Sequence, residues 1–237
     1  MVSWECGVEV FSSPWMAWKS REHVKFFDNE FTSTEMIFRA PGNLLESSPD
    51  LECSEEALKQ RLDAAQYDAL PVGTQLRQAA VLVPVRDDDH ASVILTKRSD
   101  AMPSHAGQIS FPGGQISGPH ETPLQAALRE AEEEIGLSQD QVQVLGFLDA
   151  YMTGTGYIIA PVVGIVDRYF VPEIEEREVA SVFDVPLSFL MDPLNYGIHE
   201  RYITGKFRKY YAITYKEHFI WGATAGMLKN LYDRIYA

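Results

Sequence analysis

Residues 121–137, ETPLQAALREAEEEIGL, decide how the rest of the chain is read. Thr122 is placed to cap a helix, Pro123 suits its first position, and Gln125 completes a capping box. Gly136 is the matching stop. The spacing predicts a helix over Pro123–Ile135 whose Leu124, Ala127, Leu128, Ala131 and Ile135 form one apolar stripe against a sheet. Glu130, Glu133 and Glu134, spaced i, i+3 and i+4, are expected together on a different face. A solvated acidic face is the ordinary reading of such a run. Electrostatics weakens it here, because these carboxylates occupy the last turns, where the macrodipole is negative and each costs ~0.3–1 kcal/mol. Like charges at i,i+4 add a smaller penalty. A divalent cation reverses the sign. Carboxylate oxygens are the hard ligands that Mg²⁺ or Mn²⁺ prefers, and magnesium commonly shares its coordination with substrate phosphates. The pattern points to metal-assisted phosphoryl chemistry.

Just upstream, Phe111-Pro112-Gly113-Gly114 joins a stiff step to two glycines that let backbone approach backbone or ligand closely. Alone, such a pair is a turn. Further out, residues 79–85 and 92–98 read as two strands of a hairpin around a turn at 87–90. More strands are expected over residues 142–148, 157–166 and 208–215, and a second helix over residues 223–236. The alternation indicates an α/β fold with a sheet covered by helices. The main domain is expected to span residues 76–237. Residues 1–75 are set apart as an N-terminal extension, with a helix over residues 54–67, where Ser54 can cap and Ala57, Leu58, Leu62 and Ala65 recur at helical spacing. Residues 1–40 hold Trp4, Trp15 and Trp18 without a clear period, and their six acidic and four basic residues differ from an Arg-rich transit peptide.

The composition narrows the function classes. In 237 residues, Lys+Arg 20 against Asp+Glu 34 gives a net charge of −14, which repels nucleic acid and anionic membrane surfaces. The expected partner is a small molecule, with no nucleic acid and no membrane. Cys6 and Cys53 make no disulfide framework, and the chain reads as cytoplasmic. Its most apolar stretch, residues 157–166, contains Pro161 and falls short of the ~20 residues of a membrane span. Oligomeric state is not legible.

Residues 114–137 resemble the Nudix box, G-x5-E-x7-R-E-U-x-E-E-x-G-U with U bulky and apolar. Glu121, Arg129, Glu130, Glu133, Glu134, Gly136 and Leu137 match in register; Ala131 is a small substitute at the first U, and one extra residue lies between Gly114 and Glu121. The stretch Leu95-Thr96-Lys97-Arg98-Ser99, then Met102 and His105 through Gly114, resembles the signature that precedes the box in coenzyme A diphosphatases. Glu178-Val179, residues 182–187 and Trp221-Gly222-Ala223-Thr224-Ala225 are similar to the same subfamily. Pro103 stands where many members have arginine.

This resemblance implies an α/β/α sandwich around a mixed sheet, with the box as a loop-helix-loop. It implies metal, Mg²⁺ or Mn²⁺, on Glu130, Glu133, Glu134 and the backbone carbonyl near Gly114. Arg129 is expected to orient a box glutamate, an exposed ion pair being the alternative. Glu133, Glu134 or Glu178 are the general-base candidates, Glu178 matching a family position better than Glu175 or Glu176, which read as solvated charge. Arg98, His105, Gly113 and Gly114 are expected against the substrate, although a turn-stabilising or interior role suits His105 as well. Trp221 and Thr224 read as packing and helix-start residues. The expected reaction is hydrolysis of coenzyme A or a derivative to 4'-phosphopantetheine and adenosine 3',5'-bisphosphate. Hydrolysis of ADP-ribose, NADH or another nucleoside diphosphate derivative is the rival. A silent ligand sensor is a weaker one, since the box residues are intact.

Overall fold

The computed structural model describes residues 76–88, 91–118, 120–203 and 206–236. The helix expected over residues 54–67 and the rest of residues 1–75 lie outside the described residues. Strand β1 (Arg77–Arg86) runs through the middle of an eight-stranded mixed sheet. It lies parallel to β7 (Tyr157–Val166) along its whole length, from Arg77↔Tyr157 to Arg86↔Val166. Both strands are covered on both faces, which is why each is a nearly continuous apolar run. Beyond β7, β5 (Val142–Phe147) and the short β6 (Tyr151–Met152) pair antiparallel to it.

The other side of β1 carries the feature that builds the site. Strand β2 (Ser92–Arg98) pairs with β1 only at Val85↔Val93 and Arg86↔Ser92. The expected hairpin therefore holds at its closed end and then opens, while the far edge of β2 pairs with β8 (Val179–Pro186). Residues 109–115 fill the opening. There β3 (Ile109–Ser110) pairs with β2 and β4 (Gly113–Gln115) with β1, and the Leu82 amide donates to the Pro112 carbonyl at 2.9 Å. Proline fits between the two short strands because only its carbonyl is asked for.

Alternate residues of β1 and β7 face two cores. On one face Ala80, Leu82, Ile158 and Val162 pack against Ala127, Ala131 and Ile135 of α1 (Pro123–Ile135). On the other, Val81, Val83, Val163 and Ile165 meet Leu228 and Leu231 of α3 (Ala223–Tyr236). That second core also takes the short α2 (Leu187–Leu190), and Ile213 and Ile220 from a separate antiparallel sheet of β9 (Tyr196–Ile203), β10 (Lys206–Tyr215) and β11 (His218–Trp221). The architecture is the expected α/β type with a mixed sheet and helices on both faces; the small sheet is an addition. No helix among the described residues is long and apolar enough to cross a membrane.

Candidate active site

Helix α1 begins and ends as its sequence requires. Thr122 accepts from the Gln125 amide at 3.2 Å and the Gln125 side chain accepts from the Thr122 amide at 2.9 Å. Gly136 takes φ 70, and its N–H and that of Leu137 donate to the Glu132 and Ala131 carbonyls. A side chain here would be strained by φ and would meet Glu173 Cβ at 2.9 Å. The next carbonyls, of Glu134 and Ile135, accept from the amides of Glu175 and Glu173 in the loop leading to β8. The helix end that carries the carboxylates is thus partly neutralised by the loop that brings Glu178 alongside.

Glu134 does not lie with Glu130 and Glu133 on a face apart from the apolar stripe, which corrects the sequence expectation. Glu134 is 3 % exposed, Glu130 16 % and Glu133 60 %. The gradient follows from helical geometry: at about 100° per residue, Glu134 lies roughly 20° from Ala127 on the edge of the apolar stripe, with Glu130 and then Glu133 progressively further round. Burial pushes the Glu134 carboxyl up to about 8, against the pull of Arg98, whose Nη1 lies 3.6 Å from Oε1. Glu134 Oε2 is buried and has no hydrogen-bond partner. Burial also raises the Glu130 carboxyl, with Arg129 opposing and Glu133 and Glu178 adding to the rise.

Arg129 organises the opposite end of the cluster. Its Nε donates to Glu121 Oε1 at 2.7 Å, Nη1 donates to Glu130 Oε1 at 2.8 Å and Glu133 Oε2 at 3.0 Å, and Nη2 donates to the Gln115 carbonyl at 3.2 Å. The Arg129 bond holds Glu121 below the usual carboxylate range, and the same bond raises the Arg129 guanidinium. Glu121 also accepts from the Ser117 amide, which closes the loop between β4 and α1 despite its extra residue. Glu121 and Gln115 had no role assigned from sequence. The i, i+8 separation of Glu121 and Arg129 across a helix start was the available signal, but it needed the loop's path.

The glycines place backbone where side chains would collide. A Cβ on Gly114 would lie 2.4 Å from the Glu130 carboxylate, and one on Gly113 2.5 Å from the Ala80 carbonyl. Strand β4 therefore sets Gly114 directly against Glu130, while the Gly113 N–H faces Glu134. Arg98 ends β2 opposite Val179, and the Ser99 amide donates to the Glu178 carbonyl at 2.8 Å, bringing exposed Glu178 beside Arg98. Glu175 instead hydrogen-bonds Arg177, and Glu176 is exposed. His105 is exposed at φ 59 with Nδ1 2.8 Å from Gln108 Oε1, so it holds the turn before β3. Thr224 donates to the Ile109 carbonyl at 3.0 Å from the first turn of α3, fixing β3 from behind.

The donors present suit a hard divalent cation. Glu134 carries a buried, unpartnered oxygen, and the absence of a side chain at Gly114 leaves backbone beside Glu130. Among the described residues no three acidic, His or Cys groups already converge as a ligand cage. Arg129 draws Glu130 and Glu133 onto its own guanidinium.

Known proteins share much of this sequence. The family model described as "NUDIX domain" matches residues 76–188. The uncharacterized Nudix hydrolase NudL of Citrobacter koseri is 39% identical over 155 residues, 65% of this chain and 81% of the relative. The protein of the same description in Escherichia coli K12 is 37% identical with the same coverage. Among solved structures, a NUDIX hydrolase from Alicyclobacillus acidocaldarius aligns over 70% of this chain and 95% of its own at TM-score 0.45 and 17% identity. With the glutamate helix, its arginine hub and the Gly113-Gly114 strand in the arrangement described, and relatives matched over four-fifths of their length, the chain belongs to the Nudix hydrolases.

Proposed function

We propose that this Nudix hydrolase splits the diphosphate of coenzyme A or a close derivative, giving 4'-phosphopantetheine and adenosine 3',5'-bisphosphate. The observation that carries the proposal is where residues 95–114 lie. The stretch that resembles coenzyme A diphosphatases ends β2, crosses the opening between β2 and β1, and delivers Gly113 and Gly114 to Glu134 and Glu130. Nudix hydrolases generally use divalent cations, and here Glu130, Glu133, Glu134 and the Gly114 carbonyl would hold one, Mg²⁺ or Mn²⁺. A divalent cation supplies charge neutralisation at the diphosphate oxygens and acidifies water for attack at phosphorus.

The remaining work falls to protein groups. Arg129 fixes the rotamers of Glu130 and Glu133 through two bonds of 2.8 and 3.0 Å. Exposed Glu178, held by the Ser99 amide, takes the proton of the attacking water. Glu133 is the other carboxylate exposed enough to do so. Arg98 brings positive charge to Glu134 and to a phosphate approaching it. In this reading residues 76–237 are the cytoplasmic catalytic unit and residues 1–75 an extension to it.

The test is a panel of CoA, acetyl-CoA, ADP-ribose, NADH and diadenosine polyphosphates with Mg²⁺ and with Mn²⁺, read by product mass. CoA is expected to give the largest kcat/KM. A larger value for ADP-ribose or NADH would overturn the substrate assignment and leave the hydrolase class standing.

A further inference from the structure

Two arginines flank the carboxylates of α1, and they are bonded to them in different ways. Arg129 donates from Nε, Nη1 and Nη2 to Glu121, Glu130, Glu133 and the Gln115 carbonyl at 2.7–3.3 Å. Charge-assisted bonds in that number fix a guanidinium in place. Arg98 approaches Glu134 from the end of β2, where its amide donates to the Gln108 carbonyl at 2.9 Å and its carbonyl accepts from the Gly107 amide at 3.2 Å. Its backbone is therefore held, and only the side chain can change partner. Nη1 stops 3.6 Å from Glu134 Oε1, beyond hydrogen-bonding distance.

Neither charge of this pair is fully compensated. Arg98 Nε and Glu134 Oε2 are both buried, and neither has a hydrogen-bond partner. The Arg98 side chain is 19 % exposed and that of Glu134 3 %, so water replaces little of the missing bonding. An arginine that is the permanent partner of a buried carboxylate meets it with two parallel N–H donors, and such a pair offsets its desolvation only when the remaining polar atoms are also satisfied. Here one donor of the fork and one carboxylate oxygen are left over. Glu130 and Glu178 add negative charge around Glu134. That surplus favours a cation of two charges over a guanidinium of one.

We infer that Arg98 and the divalent cation are alternative partners of Glu134, and that Arg98, once displaced, binds the diphosphate of the substrate. The planar fork released from the carboxylate is the donor set that matches phosphate oxygens. Arg98 thus ties capture of the diphosphate to loading of Glu134, and by linkage the diphosphate favours loading in return. The inference rests on the reading of the site as a metal-dependent diphosphatase, whichever diphosphate it takes, and goes beyond it by giving Arg98 two successive partners.

The test begins with Mn²⁺ alone, titrated calorimetrically into the parent, Arg98→Gln and Arg98→Lys. Arg98→Gln should bind Mn²⁺ tighter by about fivefold or more, the lower end of coupling between linked sites, while Arg98→Lys, which still offers Glu134 a positive charge, stays near the parent. Equal or weaker binding by Arg98→Gln would overturn the inference, because that is the behaviour of a fixed partner that orients Glu134 for metal. At saturating Mn²⁺, the best substrate of the panel should show a KM about tenfold higher in Arg98→Gln, with kcat changed less, as expected for loss of one charge-assisted contact. An unchanged KM would overturn the role assigned to the displaced guanidinium. A measurement on the parent covers the case of a variant that does not fold. Peptide mapping after phenylglyoxal treatment should find Arg98 modified faster in Mn²⁺ than in EDTA, and protected again when inorganic pyrophosphate is added to the Mn²⁺ sample. An Arg98 rate that Mn²⁺ leaves unchanged would overturn the inference. Absence of any cleavage by the parent would overturn the diphosphatase reading, with the titration and the modification rates still deciding for or against the exchange at Arg98.

Discussion

At residue 134 a carboxylate occupies a place on the rim of the apolar stripe of α1. Spacing alone showed three glutamates close together; it did not show that one is 3 % exposed and another 60 %, because that depends on where the sheet and the loop after Phe170 meet the helix. Gly114 was legible as a close approach, but its partner, the Glu130 carboxylate, was not. Replacing Gly114 by Ala puts a methyl against the flexible end of a side chain, so the fold should lose only about 1 kcal/mol while kcat falls at least about tenfold. Thermal unfolding and steady-state kinetics on one preparation check both halves. Glu121 gives a pH prediction. Arg129 lowers its carboxyl in the folded protein, so the stabilisation is complete above the unfolded value of about 4.3 and is lost as pH falls through the lower folded value. Glu121→Gln should therefore cost about 1–2 kcal/mol at pH 7, a charged hydrogen bond with little exposure, and nothing measurable near pH 2. A penalty that persists in acid would contradict the assignment.

Among the elements, α1 was the most legible because every local signal agreed: N-cap, proline at the first position, capping box, apolar stripe and glycine stop. Its observed bounds are the expected ones. Thr122→Ala should lower stability by about 1 kcal/mol through loss of the bond to the Gln125 amide, with turnover per folded molecule retained; urea titration measures the first and active-fraction kinetics the second. The strands divide by length. The β7 run was legible over Tyr157–Val166, whereas β3, β4 and β6 have two or three residues each and carry no period. The opening of the β1–β2 hairpin was hidden for the same reason. It is imposed by the Leu82 amide bonding Pro112, 30 residues away, rather than by the turn between the strands. Strands β8, β9 and β11 went unread as strands; in β9 the run His199-Glu200-Arg201 interrupts any apolar alternation, and the strand takes its place by pairing with β10.

For the whole molecule, two cores on a shared sheet hold the carboxylate helix on one face and α3 with the small sheet on the other. Since the glutamate helix, its arginine hub and the Gly113-Gly114 strand all lie beyond residue 75, deleting residues 1–40 should leave the hydrolase activity largely intact. Loss of folding on truncation would instead make Trp4, Trp15 and Trp18 part of the main core. The central claim is that the carboxylates of α1 are a metal-dependent hydrolytic site and not a solvated face. Thermal unfolding of the parent and of Glu134→Gln, each in EDTA and in millimolar Mn²⁺, with activity measured alongside, tests it most directly. Without metal, removing a buried carboxylate whose Oε2 has no hydrogen-bond partner from the negative end of the helix should leave stability unchanged or raise it by up to about 1 kcal/mol. Metal should stabilise the parent by about 2.7 kcal/mol at a hundredfold excess over Kd and the variant by less, and the variant's activity should fall by orders of magnitude. A Glu134→Gln protein with full activity and the full metal-induced shift would contradict the account.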